Sequence, residues 1–409
     1  MTEGPQALLG RAAALDEADP LSSYREAFLP AEGVIAYLDG NSLGRPLRAS
    51  SERFSEFVQN GWGERLIRGW DEGWMDAPVE LGDQLGRTVL GADAGQTVVA
   101  DSTTVLLYKL VRAAVDARPQ RDVIVADTRN FPTDRYIVEG VAAERGLTIC
   151  WIEPEPRLGV TAEQVREAVD ERTALVLFSH IDFRSGYIAD MAAITDAVHE
   201  AGAVVLWDLC HSVGAVELGL DAAGVDLAVG CTYKYLNGGP GSPAFAYVAT
   251  GLQDSVVQPI QGWMGSAEPF QMGPGYEPAT GMRRFISGTP PIVGMLPLRD
   301  SLQLIRTVGM PAIRSKSVKL TDFAIQIADE HLAPFGVEVA SPRDPNVRGG
   351  HVTLEHPDFA RIVPELWARG VIPDFRPPSG MRIGLSPLST SFTELAVGLV
   401  HVAALLGGD

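Results

Sequence analysis

A lysine and an aspartate, each closing an apolar run, are the first residues in this chain equipped to do chemistry. Lys234 stands in DLAVGCTYKYLNGGPGSPAFAYV (residues 226–248), where the glycines and prolines that follow leave little side-chain bulk. Asp208 lies near the end of AVVLWDLC (203–210), a run so apolar that an uncompensated carboxylate would take up a proton. Something cationic must therefore face it. A direct ion pair between Asp208 and Lys234 is one solution; a ligand between the two is the other. Pyridoxal phosphate meets both demands, since a lysine holds its aldehyde as a Schiff base and an aspartate keeps the ring nitrogen protonated, making the ring an electron sink. A lysine in that role must lose its proton more easily than a free one.

The phosphate of such a cofactor needs donors. ADSTTVLLYKL (100–110) offers hydroxyls on Thr103 and Thr104, and backbone N–H groups where a strand turns into a helix. Alone, this is only a Ser/Thr helix cap. NFPTDRY (130–136) offers Phe131 to lie on the pyridine face and Asp134 to bond a ring substituent, although a phenylalanine after a strand is far more often plain core. The weight lies in their order along one sheet edge.

The elements that must position these residues follow from periodicity. Short β-branched runs alternate with helix-period segments from residue 97 to 249, the sign of a parallel sheet covered on both faces. The runs 97–101, 122–128, 147–153, 174–182, 203–210, 226–233 and 243–249 predict seven strands, with helices in TTVLLYKLVRAAVDA and MAAITDAVHEAG between them. This is a doubly wound α/β arrangement, in which ligands bind beyond the carboxyl ends of the strands. A Gly- and Pro-rich connector follows residue 250, then a helical stretch from about 291 to 332. The runs GVEVAS, GGHVTLEH and GMRIGLSP, with helices near 358–369 and 391–406, predict a smaller α+β unit. The expected division is 1–50 as a segment packing on the small domain, 51–290 as the large cofactor-binding domain, and 291–409 as a connecting helix and the small C-terminal domain.

Composition narrows the partners. The chain has 409 residues, 46% hydrophobic and 21% charged, with a formal net charge of -19 that would repel a phosphate backbone. Nucleic acid is an unfavourable partner, and no apolar run approaches bilayer length. MTEGPQALLG lacks the features of a secretory signal, and three widely spaced cysteines fit a reducing cytoplasm. Cys150, Cys210 and Cys231 lie in or beside strand-like runs, where cysteine behaves as a small hydrophobe. The histidines at 180, 199, 331, 351, 356 and 401 show no zinc-binding spacing, so no metal is expected and they read as surface or packing residues.

Over nearly its full length the chain resembles the kynureninase family, fold-type I pyridoxal-phosphate enzymes of the aminotransferase class V group. The resemblance is carried by YLDGNSLGRP (37–46), STTV (102–105), FPTD (131–134), SGY (185–187), DLCHSVG (208–214), YKYLNGGPG (233–241), GW (262–263), FISGTPP (285–291) and FRPPSGMRIGLSPL (375–388). It implies a large domain with a seven-stranded, mostly parallel sheet, a smaller C-terminal α+β domain, and a homodimer with its active site at the subunit interface. It also implies hydrolytic Cβ–Cγ cleavage of L-kynurenine, possible also for 3-hydroxykynurenine, to anthranilate and L-alanine in tryptophan catabolism, a route that feeds NAD biosynthesis. Lys234 becomes the Schiff-base lysine and Asp208 the partner of the ring nitrogen, with His211 nearby. Thr103, Thr104 and Tyr233 belong to the phosphate end, and Tyr233 is also the candidate proton shuttle. Ser179 and Asp134 bond around the ring, and Phe131 stacks on it. Trp263 and Thr289 match positions presented to the phosphate by the neighbouring subunit. Arg382 matches the arginine that grips the substrate α-carboxylate, with Asn41 and Ser42 also at the substrate. Trp70 or Trp74 is a candidate wall of the aromatic pocket. The Ser-Gly-Thr at 287–289 departs from the Ser-Asn of animal forms that favour 3-hydroxykynurenine, which points to the unsubstituted substrate. Alternatives are a related enzyme acting on a substituted kynurenine in a natural-product pathway, and a cysteine desulfurase. The latter needs a mobile cysteine on an exposed loop and tends to stack histidine where Phe131 lies.

Overall fold

In the computed structural model, which describes residues 4–408, the alternating stretch folds into one sheet. Its strands are β1 (Thr97–Ala100), β2 (Val123–Asp127), β3 (Thr148–Ile152), β4 (Thr173–Ser179), β5 (Val204–Asp208), β6 (Leu227–Gly230) and β7 (Ala244–Val248). They lie in the order β1-β7-β6-β5-β4-β2-β3. Only β7 runs against its neighbours, antiparallel to β1 and β6, while the other pairs are parallel. Both faces are buried, which is why the strands read as continuous apolar runs. Val125, Val176, Val205, Trp207 and Phe245 pack into the core on one face. Ile124, Leu175, Leu206, Val229 and Ala246 pack on the other, against the helix Thr103–Asp116.

All seven strands end before their apolar runs do, three of them by two or three residues. β4 stops at Ser179, β5 at Asp208 and β6 at Gly230. The residues beyond remain buried, so the hydrophobic pattern continues after the ladder has stopped. Beyond β6, Thr232 accepts from Gly238 N–H at 2.8 Å and its hydroxyl donates to the Pro243 carbonyl at 2.6 Å, closing a turn that carries Lys234.

The stretch predicted as one helical run from 291 to 332 is two helices, Ile292–Val308 and Met310–Ile327. Gly309, at φ +86°, and Pro311 break it. The first helix sends Met295, Leu298, Leu302 and Ile305 into the large sheet's core. The second places Leu320, Phe323 and Ile327 in a separate core, so the break lies where the chain passes from one to the other. That second core is built on an antiparallel sheet ordered Asp374–Arg376, Gly380–Gly384, His351–Glu355, Glu338–Val339, with the helices Phe359–Ala368 and Phe392–Gly407. Leu8 and Ala12 of the helix Pro5–Glu17 complete it, with Ala36 and Leu38. Ala36–Tyr37 pairs in parallel with Val371–Ile372, and Asp39 bridges to Gly384. The N-terminal segment is thereby steered toward the edge where β6 ends.

Asp127, the last residue of β2, is buried, and burial followed by the nearby Asp182 carboxylate pushes its carboxyl up to about 7. Because the folded value lies above the free one, its stabilising contribution is present at low pH and is lost as pH rises through about 7. Asp127→Asn should therefore stabilise the protein more at pH 8 than at pH 5, by about 1–3 kcal/mol in urea unfolding. An equal effect at both values would contradict this.

Candidate active site

A cavity of about 150 Å³ opens beyond the carboxyl ends of the central strands. It gathers nine residues singled out from the sequence: Thr103, Thr104, Phe131, Asp134, Ser179, Asp208, His211, Tyr233 and Lys234. Each follows a strand or begins the next helix, as the doubly wound topology requires.

The chain contains four lysines. Lys109 is buried against Asp101 and the Phe285 carbonyl, Lys316 is paired with Asp19 at 2.7 Å, and Lys319 is exposed on its helix. Lys234 alone reaches the cavity. Its Nζ lies 2.9 Å from His211 Nε2 and 6.0 Å from the centre of the Phe131 ring. Burial, and after it the charge of Lys234, hold His211 well below the ordinary imidazole range, so a neutral ring accepts from the lysine. The direct Asp208–Lys234 ion pair is not formed. Asp208 Oδ1 accepts from Cys210 N–H at 2.7 Å instead, and its neighbour is a second carboxyl. Burial, and then Asp208, raise Asp134 well above the usual carboxylate range, which keeps Asp134 protonated. Tyr233 is likewise raised by burial and then by Cys231, and stays a phenol able to donate.

Ser102 caps the helix Thr103–Asp116 by accepting from Val105 N–H at 3.4 Å. The first-turn N–H groups of Thr103 and Thr104 have no helical acceptor and lie at the cavity, an anion site in waiting. Ser179 donates to Asn130 Oδ1 at 2.7 Å, and the same oxygen accepts from Phe131 N–H at 2.8 Å. Phe131 is 37% exposed and packs edge-on against Phe183 at 5.3 Å. It is a free aromatic face rather than plain core.

Several buried polar atoms here have no partner: both carboxyl oxygens of Asp134, Nδ1 of His211 and Nδ2 of Asn130. Leaving such groups unsatisfied costs roughly 1–3 kcal/mol each, so the site is built for a polar ligand. An anionic end at the helix start, a flat ring against Phe131, a lysine amine and a carboxyl pair match pyridoxal phosphate in every donor and acceptor type.

Arg382, Asn41 and Ser42 do not line this cavity. Arg382 is buried, with Nε donating to Asp374 at 2.9 Å, Nη1 to the Phe183 carbonyl at 2.7 Å and Nη2 to Ser42 Oγ at 3.1 Å. Nη2 also pairs with Asp374. Since Phe183 lines the cavity, Arg382 sits one residue behind its wall. Asn41 is fully buried with neither amide atom bonded, and it fills the space a side chain at Gly384 would need. Gly44 explains why the N-terminal motif accompanies the lysine motif. It donates its N–H to the Tyr233 carbonyl at 2.8 Å, and a Cβ there would lie 2.4 Å from the Lys234 carbonyl oxygen and 2.1 Å from Asn237 Oδ1. Gly44→Ala should displace the lysine turn and destabilise the fold by about 1–3 kcal/mol, with weaker cofactor retention measured by absorbance after dialysis. Unchanged stability and retention would refute this coupling.

Trp263 and Thr289 lie away from the lysine cavity of their own chain. Trp263 is 42% exposed against Phe270, while Thr289 lines an apolar cleft of about 340 Å³ with Trp70 and Trp74, which meet edge to face at 5.3 Å. Within one chain, neither tryptophan walls the lysine cavity.

Four further residues join the site that neither motif nor periodicity singles out. His351, read as a packing residue, is buried 5.6 Å from His211, with neither ring nitrogen bonded. Asp374 holds Arg382, Asn130 holds Ser179, and Phe183 stands between the cavity and Arg382. An arginine eight residues after an acid across a tight strand pair was the one available signal, for Asp374. Among the described residues no group of three or more His, Cys, Asp or Glu is placed to hold a metal ion.

Comparison with known proteins gives the family. The aminotransferase class-V family model matches residues 83–354 and the kynureninase C-terminal domain model matches 313–401. A kynureninase from Pseudomonas fluorescens is 43% identical over 389 residues, covering 93% of this chain and 91% of its own. One from Burkholderia pseudomallei is 42% identical, covering 94% and 92%. The chain belongs to the kynureninase family. Among solved structures, cysteine desulfurases share the fold: that of Thermococcus onnurineus, at TM-score 0.79 and 18% identity, covers 91% of this chain and 95% of its own. CsdA of Escherichia coli, at 0.77 and 17%, covers 94% and 98%. That likeness is one of fold. The kynureninase-like chain described here has Cys210 and Cys231 buried and Cys150 within β3, with none on an exposed loop.

Proposed function

We propose that this chain hydrolyses the Cβ–Cγ bond of L-kynurenine, releasing anthranilate and L-alanine, with pyridoxal 5'-phosphate as cofactor. The observation that carries the reading is the single cavity-facing lysine set among unpartnered buried polar atoms, in a chain of this family. Thr103 and Thr104 would hold the phosphate, Phe131 the ring face, Ser179 and Asp134 its substituents, Asp208 the ring nitrogen, and Lys234 the aldehyde carbon. When bound, the cofactor supplies an electron sink for the pair left on the substrate Cα.

The residues of the chain do the rest. His211, neutral and 2.9 Å away, accepts a hydrogen bond from Lys234 Nζ and so leaves that amine free to take and return a proton. Asp134, kept protonated by burial and then by the nearby Asp208, can donate to a ring substituent, and Tyr233 keeps its phenolic proton available for Cβ. Arg382 grips the α-carboxylate with its planar fork, aligned by Ser42 and Asp374. Asn41 joins the substrate side.

The reading includes a homodimer. Trp263 and Thr289 lie outside their own chain's cavity and are taken as the neighbouring subunit's contribution to the phosphate end. Residues 51–290 are taken as the cofactor-binding unit and 291–409 as the connecting helix and small unit. The N-terminal segment divides between them, Leu8, Ala12, Ala36 and Leu38 packing on the small unit and Leu21, Phe28 and Leu47 on the large one. The substrate is a small amino acid of tryptophan catabolism, and the protein works in the cytoplasm without nucleic acid or membrane. Among the described residues no helix is long and apolar enough to cross a bilayer.

The test is fluorescence detection of anthranilate from L-kynurenine beside its 3-hydroxy form, with L-alanine counted in parallel. Equimolar products, formed faster from the unsubstituted substrate, are expected. Sulfide from L-cysteine in place of anthranilate would overturn the reading.

A further inference from the structure

A second cavity, of about 170 Å³, has Arg382 in its wall together with Arg129, Arg157, Arg184 and Arg376, and Glu355 as its one acidic lining residue. This concentration of cations is unexpected in a chain of net charge -19. Three of the five guanidiniums are answered by carboxylates. Arg382 and Arg376 share Asp374, the latter at 3.1 Å, and Arg157 pairs with Glu338 and with Glu355 at 3.6 Å. Arg129 and Arg184 are not answered. Among the described residues neither has an ion-pair partner; Arg129 Nη2 donates to the Pro156 carbonyl at 2.7 Å and Arg184 Nη1 to the Pro377 carbonyl at 2.9 Å. The Nε groups of Arg129 and Arg376 are buried with no acceptor. Asp182 lies near Arg184, but its Oδ1 is engaged by the N–H groups of Arg184 and Ser185. Burial, and then Arg129, push the Arg184 guanidinium below its usual range, as expected of cations crowded without a counter-charge.

The cleft adjoins the lysine cavity across an aromatic wall. Arg184 lies 5.3 Å over the Phe183 ring, and Phe183 packs at 5.3 Å against Phe131. An anion seated here would therefore lie beside both the aromatic wall and the carboxylate-gripping arginine.

We propose that this cleft is an anion site in which Arg129 and Arg184 bind a small oxyanion, either a carboxylate or an inorganic anion. Two guanidinium forks without carboxylate partners match that chemistry, since paired N–H groups address two oxygens at once. The cleft shares Arg382 with the proposed substrate side, so it is tested on holoenzyme without substrate. Isothermal titration with sulfate and, separately, with benzoate, at constant ionic strength set by chloride, is compared across the parent protein, Arg184→Gln and Arg129→Gln. Arg129→Gln leaves the Phe183 stack untouched and keeps the test valid if Arg184→Gln folds poorly. Saturable binding of either probe, weakened about tenfold or more in the variants, supports the site. Sulfate alone identifies an inorganic anion, and benzoate alone an aromatic carboxylate of the product's class. Absence of saturable binding by both, or binding of equal strength in parent and variants, overturns the proposal.

Discussion

Lys234→Ala should give a folded protein that no longer holds pyridoxal 5'-phosphate covalently and that releases anthranilate at least ~10³-fold more slowly. The size of the effect follows from the lack of a substitute. Lys109 and Lys316 are buried in ion pairs with Asp101 and Asp19, and Lys319 is exposed on its helix, so no other lysine amine lines the cavity. The fold itself should tolerate the change, because the Lys234 amine makes one hydrogen bond, to His211. Visible absorption after dialysis, turnover and the thermal midpoint separate the two effects. A variant that kept both colour and turnover would remove Lys234 from its assigned place.

Arg382→Ala should lower kcat/KM by about 10²–10³-fold, chiefly through KM, as expected when one partner of a buried, hydrogen-bonded charge pair is deleted. The guanidinium is fixed from three directions by Asp374, Ser42 and the Phe183 carbonyl, which pre-sets its fork before substrate arrives. Some stability should be lost as well, but Arg376 at 3.1 Å still answers Asp374. Arg382→Lys should recover little, since an ammonium cannot reproduce the fork, whereas Ser42→Ala should cost far less because it removes one of several bonds. A folded Arg382→Ala protein with unchanged KM would mean that the carboxylate is held elsewhere.

The sheet was readable because its strands are buried on both faces, so Val123–Asp127 and Val204–Asp208 stand out as unbroken apolar runs. Residues placed just after those runs were readable for the same reason. Thr103, Phe131, Asp134, Ser179, Asp208 and Lys234 all converge on one cavity because parallel strands deliver their carboxyl ends to one edge. What could not be read is what depends on contacts between distant segments. His351 meets His211 only because the small sheet folds over the end of β5. Gly44 meets the lysine turn only because the N-terminal segment is pinned by Ala36–Tyr37 to Val371–Ile372. The placing of Asp134 beside Asp208, with no direct Asp208–Lys234 ion pair, likewise depends on packing across strands rather than on local pattern. The strand ends were overrun because burial continues through Cys210 and Cys231 after the hydrogen-bond ladder has stopped.

The most direct measurement is borohydride reduction of the cofactor-loaded protein, followed by proteolysis and mass spectrometry of its lysine peptides. A pyridoxyl mass on the peptide containing Lys234, and on none containing Lys109, Lys316 or Lys319, is the predicted result. Label on another lysine, or none in protein that binds the cofactor, would contradict the central claim.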